Sequence, residues 1–391
     1  MRAAGAYALA CALAAWTVRA AAADEGPQVV VEVGPKRVAS WGNHPGHVQH
    51  PRHTILATLD SGAERYGLRY SCCPHPSHAP GVATPEGYIG MPLPTSVNWY
   101  HNGFLRIVVN GRDIGTTPLA ALRRGETGRR GSVQFVWRRA DADVRATFLM
   151  LPQDPTLYFE ATAHPKGELR SLEVALTAYP VAYVSNADRW AITPRRGIQQ
   201  GHKETLDPAA EPWLLCQDHA LARSSDTSPH PGGCGLQLLP AEIDEARVEV
   251  HSYPVQVHLK AKPGLRRLRL AIWDFHKRTN RDAERWVRSR ASATAAALAS
   301  LDFTNPVLRG EAWPQLRAHL MKILPSAKGY PKLHADVTRH VERVDALLAQ
   351  LRAAAAKGTA TPLDAEDRLL ESLDALARRR WELEFVALFA E

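Results

Sequence analysis

The chain has 391 residues, of which 45% are hydrophobic and 23% charged, and a formal charge of +8. The basic residues are dispersed apart from Arg123-Arg124, Arg129-Arg130, Arg138-Arg139 and Arg195-Arg196, so the charge describes a solvated surface and argues against a nucleic-acid site. Beyond the N-terminal segment no stretch is long and apolar enough to span a bilayer as a helix.

Met1-Arg2 supplies a minimal positive region, Ala3 to Val18 an apolar one, and Ala20-Ala-Ala-Ala23 a small-residue cleavage site. Residues 1–23 therefore read as a removable signal peptide, which predicts a periplasmic or secreted protein without a transmembrane segment. A lipoprotein reading through Cys11 is weaker, because Cys11 sits in the middle of the apolar run. Removing Arg2 and Arg19 lowers the formal charge by two, from +8 to +6. It also leaves Cys72, Cys73, Cys216 and Cys234, an even number for an oxidising compartment. A Cys216–Cys234 disulfide would close a polar loop and contribute about 3 kcal/mol. Cys72-Cys73 is open to a vicinal disulfide, to other pairing, or to a reduced state as soft metal ligands.

Residues 24–285 predict a large antiparallel β-sandwich. Before residue 100 regular structure is sparse, with strands at Gln28–Val33 and Thr54–Leu59. Phe104–Val109 then runs into Asn110-Gly111, a strong two-residue hairpin signal because both turn positions need positive φ. Val133–Trp137, Val144–Met150, Leu157–Thr162 and Leu169–Ala178 continue the meander, with turns at Asp141–Asp143 and His164–Gly167. Trp213–Leu215, Gly235–Leu239 and Leu265–Trp273 add further strands.

Residues 286–391 predict a helical region. Arg281–Ser300 reads as a helix and Phe303–Pro314 as a connector. Leu333, Val337, Val341, Val344, Leu348 and Leu351 form one apolar stripe of a helix that ends at Lys357-Gly358. A second helix starts at Thr361-Pro362-Leu363-Asp364, with Thr361 as its N-cap. Leu369, Leu373, Leu376 and Leu383, with Trp381, Phe385 and Leu388, are expected to be its buried side. The fold class is thus mainly β: a sandwich followed by a C-terminal α-helical hairpin that packs on the sandwich or docks a partner.

Two residue groups carry candidate chemistry. His44, His47, His50 and His53 recur every third residue among prolines, and a polyproline II segment would align them along one edge. Neutral imidazoles suit Zn or Cu, and His75 and His78 repeat the spacing after Cys72-Cys73. Alternatively, the strip is a solvated surface loop. The second group is Thr95-Ser-Val-Asn-Trp-Tyr-His-Asn-Gly103, directly before a strand. Trp99, Tyr100, His101 and Asn102 are candidate ligand-binding residues, with aromatic faces for sugar C–H surfaces and polar groups for hydroxyls. Trp137 and Trp273 are expected in the core.

Catalytic templates such as Gly-x-Ser-x-Gly and His-Glu-x-x-His are absent. Glu86, Glu204, Asp207, Asp218 and Asp274 are available carboxylates, and no spacing pairs any two of them for glycoside hydrolysis. His101 as base, Arg195 or Arg196 as electrostatic stabiliser, and Asp274 are the weak catalytic candidates.

Trp99-Tyr-His-Asn-Gly-Phe104, Trp213-Leu-Leu-Cys-Gln-Asp218 and Ala271-Ile-Trp-Asp-Phe275 look like segments of uncharacterised exported bacterial proteins. The signal peptide, long sandwich and Trp-rich strand ends resemble galactose mutarotase-like supersandwich proteins over roughly residues 25 to 285. That resemblance implies a sugar-binding or sugar-processing sandwich. It extends to no catalytic residue, since the paired histidines and glutamate of that family have no assigned positions here. The leading expectation is an exported carbohydrate-binding or carbohydrate-processing protein whose glycan is acidic. The alternatives are a periplasmic metal-binding protein and a non-catalytic envelope scaffold.

Overall fold

A computed structural model describes residues 28–40, 51–72, 87–127, 129–181, 187–222, 233–356 and 361–389. The export segment, His44, His47, His50, Cys73, His75, His78 and Glu86 lie outside these residues. In chain order the strands begin with β1 (Val30–Val33), β2 (Arg37–Ser40), β3 (Pro51–Asp60), β4 (Arg65–Cys72) and β5 (Gly87–Leu93). There follow β6 (Leu105–Val109), β7 (Arg112–Asp113), β8 (Ala121–Thr127), β9 (Arg130–Arg138), β10 (Ala142–Met150), β11 (Leu157–Pro165) and β12 (Leu172–Ala178). Next are β13 (Arg189–Ile192), β14 (Gly197–Gln199), β15 (Lys203–Leu206) and β16 (Trp213–Asp218). The last are β17 (Cys234–Leu238), β18 (Ile243–Val250), β19 (Val255–Ala261) and β20 (Arg267–Asp274).

Two antiparallel sheets form the sandwich. The eleven-stranded sheet runs β1-β3-β4-β5-β6-β12-β19-β18-β15, with β2 beside β3 and β7 beside β6. The nine-stranded sheet runs β14-β13-β16-β17-β20-β11-β10-β9-β8. Alternation along β12 and β19 sends Val174, Leu176, Val257 and Leu259 inward, where they meet Phe135, Phe148 and Phe159 from the other sheet. The Asn110-Gly111 turn forms as expected. Both residues have positive φ, 54° and 76°, and Val109 pairs with Arg112 across the turn.

The region before residue 100 departs from expectation, for its described residues supply β1 to β5. Gly67, Gly87, Gly90 and Pro92 weaken the strand signal there, yet the glycines serve close packing. A Cβ on Gly87 would lie 2.3 Å from the Tyr70 hydroxyl, and one on Gly67 2.9 Å from a Leu93 methyl. Helix α1 (Asn280–Ser300) is capped by Thr279, whose hydroxyl accepts the Asp282 N–H. Its Ala283, Val287, Ala291 and Leu298 cover Leu149, Tyr158, Trp213 and Trp273 on the outer face of the nine-stranded sheet.

The chain divides into two compact units, one of the strand-bearing residues up to Phe303 except Gly125–Thr127, the other of Gly125–Thr127 and the chain from Thr304 onward. The second contains α2 (Pro306–Arg309), α3 (Trp313–Ile323), α4 (Pro331–Ala356) and α5 (Leu363–Leu388). Val337, Val341, Val344, Leu348 and Leu351 of α4 pack against Leu369, Leu376 and Leu383 of α5 as the stripes predict. Leu320 of α3, with Leu324 and Ala327 from the 3-10 stretch that follows, completes this core. The N-cap of α5 falls at Pro362, one residue after the expected Thr361, whose hydroxyl donates to the Glu366 carboxylate. Trp381, Phe385 and Leu388 correct the expected buried side: they are exposed, because Leu376 and Leu383 already fill the seam toward α4.

Candidate functional site

The loop from Thr95 to Phe104 crosses the eleven-stranded sheet between β5 and β12. Its backbone is fixed on both sides: Tyr100 N–H donates to Thr177 O at 3.1 Å, and Met91 N–H to Tyr100 O at 3.3 Å. Arg69 on β4 donates to the His101 carbonyl and to Asn102 Oδ1, both at 2.6 Å. The crossing is close enough that only glycine fits beneath it, because a Cβ on Gly90 would lie 1.9 Å from the His101 oxygen.

Within this loop the sequence candidates separate into two directions. Asn98 and Trp99 point inward and are wholly buried. Trp99 donates its indole N–H to Trp273 O at 3.0 Å and packs edge-on against Phe104. Its ring is therefore core, and the expectation that it faces a sugar is corrected: the loop pairs with Ala178 at Trp99, and that register turns the indole into the sandwich. Asn98 donates to Asp274 Oδ1 at 2.8 Å. Burial raises the Asp274 carboxyl above the usual aspartate range, against the lowering effect of His276 and Asn98. Asp274 is a structural carboxyl that joins the end of β20 to the loop.

Tyr100, His101 and Asn102 lie on the outer side. His101 Nδ1 lies 3.1 Å from Ser96 O, which holds the ring against the loop. The Tyr100 ring meets Tyr179 edge-on at 5.8 Å, and Tyr253 lies 4.5 Å from Tyr179. The Arg189 guanidinium sits 5.4 Å from the Tyr179 ring centre. Burial, strengthened by Tyr253, pushes the Tyr179 hydroxyl up, so it remains a neutral phenol. Tyr253 is 43% exposed and presents a ring to solvent.

Further along the outer face of the same sheet lies a polar depression. Strand register aligns Arg106, Ala175, His258 and Arg247 in one cross-strand row. Val108, Glu173, Lys260 and Glu245 form the adjacent row. The Ala175 methyl between Arg106 and His258 leaves a depression of about 250 Å³ lined by Arg106, Glu173, Ala175, Arg247, His258 and Lys260. Arg106 pairs with Asp113, and Arg247 lies 3.7 Å from Glu245. Glu173, His258 and Lys260 make no ion pair among the described residues. Burial lowers the His258 pKa; Glu249 opposes this, while Arg247, Lys203 and Arg106 reinforce it. At neutral pH its imidazole thus offers one donor and one acceptor. Sequence reasoning missed His258, Lys260 and Arg247, although the alternation in Val255-Gln-Val-His-Leu-Lys-Ala261 marks a half-exposed strand.

The remaining candidates do not join this site. Arg196 is held by Glu204 at 3.1 Å, Glu211 at 3.2 Å and the Thr205 carbonyl, and Arg195 faces Asp207 at 3.6 Å. Asp218 is buried and accepts the Ala220 N–H. Among the described residues no hydrogen bond or ion pair connects His101, Asp274 and either arginine, so the suggested catalytic set is not assembled. His53 sits in β3 opposite Cys72, in extended strand and not in a polyproline II segment. No group of three metal-ligating side chains occurs among the described residues.

Cys216 and Cys234 do face one another directly across β16 and β17, but as thiols, which corrects the expected disulfide. Both are wholly buried, and the Cys234 thiol donates to Asn98 O at 3.3 Å. Burial, with the adjacent Cys216 sulfur, raises the Cys234 pKa well above the usual thiol value, which suppresses the thiolate that oxidation requires.

No protein-family model and no curated protein matches the chain. Among solved structures, it resembles the GH36 alpha-galactosidase AgaB from Geobacillus stearothermophilus at 11% identity and a TM-score of 0.31, over 62% of this chain and 41% of that one. Alpha-N-acetylgalactosaminidase NagBb from Bifidobacterium bifidum is 13% identical, with a TM-score of 0.34 over 66% of this chain and 41% of that one. A TPR-domain containing protein from Parabacteroides distasonis is 10% identical, with a TM-score of 0.36 over 63% and 55% of the two chains. The chain covers less than two thirds of each of these structures. Likeness at this level assigns no function.

Proposed function

We propose that this chain is a carbohydrate-binding protein whose ligand lies along the outer face of the eleven-stranded sheet, from Tyr100 and Tyr253 to Glu173 and Lys260. The observation that carries this reading is that the polar depression lies on the outer face of β12 and β19 and the aromatic cluster at the end of that same strand pair, with the Thr177–Gln256 row between them. Tyr179 and Glu173 are six residues apart on one extended segment, so the strip is roughly 20 Å long, the span of a short oligosaccharide. Tyrosine rings provide flat apolar faces with a polar rim, suited to pyranose C–H surfaces. His258, Glu173 and Lys260 supply donors and acceptors for hydroxyls.

Arg106 is paired with Asp113 and Arg247 with Glu245, so the trough itself is balanced, and it is the chain's net charge of +8 that favours a glycan bearing carboxylates or sulfates. The export segment expected at residues 1–23 supports a setting where such glycans occur. The proposal concerns binding, with no reaction attached. A glycan array read at low and moderate salt tests it: acidic oligosaccharides should bind, more weakly as salt rises. An array with no hits at either salt would refute it.

A further inference from the structure

The C-terminal half of α5 presents large apolar side chains to solvent. Trp381 is 68% exposed, Phe385 52%, Leu388 77% and Phe389 75%. Trp381, Phe385 and Leu388 follow at four- and three-residue steps and so share one helix face, opposite the buried Leu376 and Leu383, and Phe389 caps the helix beside them. The rings are already assembled: Phe385 lies 5.9 Å from Trp381 and 5.0 Å from Phe389. Because α4 and α5 are antiparallel, with Arg379 bonded to Asp336, this face lies at the end of the helical unit where α4 begins. The 3-10 stretch Leu324–Gly329 packs against α3, α4 and α5 at that end. Tyr330, which follows it, is 57% exposed, and Met321 is 43% exposed.

The charges at this end are unbalanced. Asp336 is paired with Arg339 and Arg379, Glu382 with Arg379, and Glu384 with Arg380 and His319. Lys322, Lys328 and Lys332 are exposed and make no ion pair among the described residues, and the exposed Arg378 acts on Asp374 one turn earlier. Free cations beside exposed aromatic rings, with these carboxylates already engaged, match a partner that is anionic at its surface and apolar beneath. We infer that this end of the helical unit binds an anionic lipid surface, with Trp381, Phe385, Leu388 and Phe389 entering the headgroup boundary. Tryptophan and phenylalanine settle at that depth, and lysine stems extend to the lipid phosphates. No helix among the described residues is long and apolar enough to cross a bilayer, so the contact is with the membrane surface. A second copy of the chain fits less well. It would bring Lys322, Lys328, Lys332 and Arg378 toward their own counterparts, with no unpaired carboxylate from Asp336, Glu382 or Glu384 to meet them.

The inference is independent of the carbohydrate reading, which concerns the other unit. Its test is sedimentation of the full chain with vesicles of phosphatidylcholine alone and of equal phosphatidylcholine and phosphatidylglycerol. The chain should bind the mixed vesicles, less so at high salt, and leave the neutral ones largely free. Combining Trp381→Ser, Phe385→Ser and Phe389→Ser should weaken binding at least roughly tenfold. Combining Lys322→Glu, Lys328→Glu and Lys332→Glu, checked by circular dichroism for an unchanged fold, should weaken it roughly a hundredfold. No sedimentation with mixed vesicles would overturn the inference, as would undiminished binding by both variants. Dimerisation abolished by Trp381→Ser, without lipid binding, would assign the face to a second copy.

Discussion

The indole nitrogen of Trp99 lies 3.0 Å from the carbonyl oxygen of Trp273, and this bond joins the crossing loop of one sheet to a central strand of the other. Beside it, Asn98 bonds Asp274, so two neighbouring loop residues hold two neighbouring residues of β20. The inward half of the loop is a fastening between sheets, and the outward half, Tyr100 to Asn102, borders the proposed site.

The first prediction follows from that division. Trp99→Ala should cost about 3–5 kcal/mol, the range for removing a large aromatic from a core. Asn98→Ala should cost about 1–3 kcal/mol by removing one of the two hydrogen bonds to Asp274 Oδ1 and leaving the His276 N–H as its remaining donor. Urea unfolding measures both, and a Trp99→Ala protein as stable as the parent would remove Trp99 from the core.

Gly90→Ala should be disproportionately damaging for a single methyl. The added carbon falls 1.9 Å from the His101 oxygen, so the loop must lift from β5. A loss of roughly 2 kcal/mol or more is expected. Tyr100 and His101 should move with the loop, shifting the His101 imidazole resonances. An unchanged melting curve and spectrum would contradict the tight crossing.

Much of this architecture is legible in the order of the amino acids. The strands around Phe135, Phe148 and Phe159 alternate cleanly, Asn110-Gly111 can hardly form another turn, and the leucine and valine stripes of α4 and α5 follow the helical period. Strands β4 and β5 are not legible in this way, because Gly67, Gly87 and Gly90 are required by close approach between strands, which composition disguises as loop. Trp99 departs from its expected direction for a related reason. In an irregular loop, side-chain direction is set by pairing with Ala178, on a strand distant in sequence. Trp381 and Phe385 mislead in the opposite sense: their spacing matches a buried face, while Leu376 and Leu383 already fill the seam.

Stability should vary with pH through Glu160. Burial pushes its carboxyl up to about 7, although Arg269 and Arg267 favour the charged form. A raised carboxyl pKa means that the folded state holds the proton more tightly than the unfolded one. This contribution is complete below the ordinary value of 4.5 and is lost as pH rises to about 7. Glu160→Gln keeps the neutral form throughout. The variant should match the parent near pH 4 and exceed its stability by on the order of 2 kcal/mol near pH 8. Parallel unfolding curves at both pH values would contradict the assignment.

Cys216 and Cys234 should resist alkylation in native protein and react once denaturant is present, as buried thiols do. Peptide mapping after iodoacetamide treatment reads each site separately. A Cys216–Cys234 bridge in native material would contradict the thiol state.

Calorimetric titration of the parent, Tyr253→Ala and Arg247→Ala proteins with an acidic oligosaccharide selected from the array tests the central claim most directly. Tyr253 is 43% exposed, so its loss should leave the fold intact while removing an apolar face worth roughly 1–2 kcal/mol, about a tenfold weakening. Arg247→Ala should weaken binding of the acidic ligand and reduce its salt dependence, with little effect on a neutral analogue. Binding that is unchanged in both variants would place the glycan elsewhere, and no heat of binding in the parent would contradict the account itself.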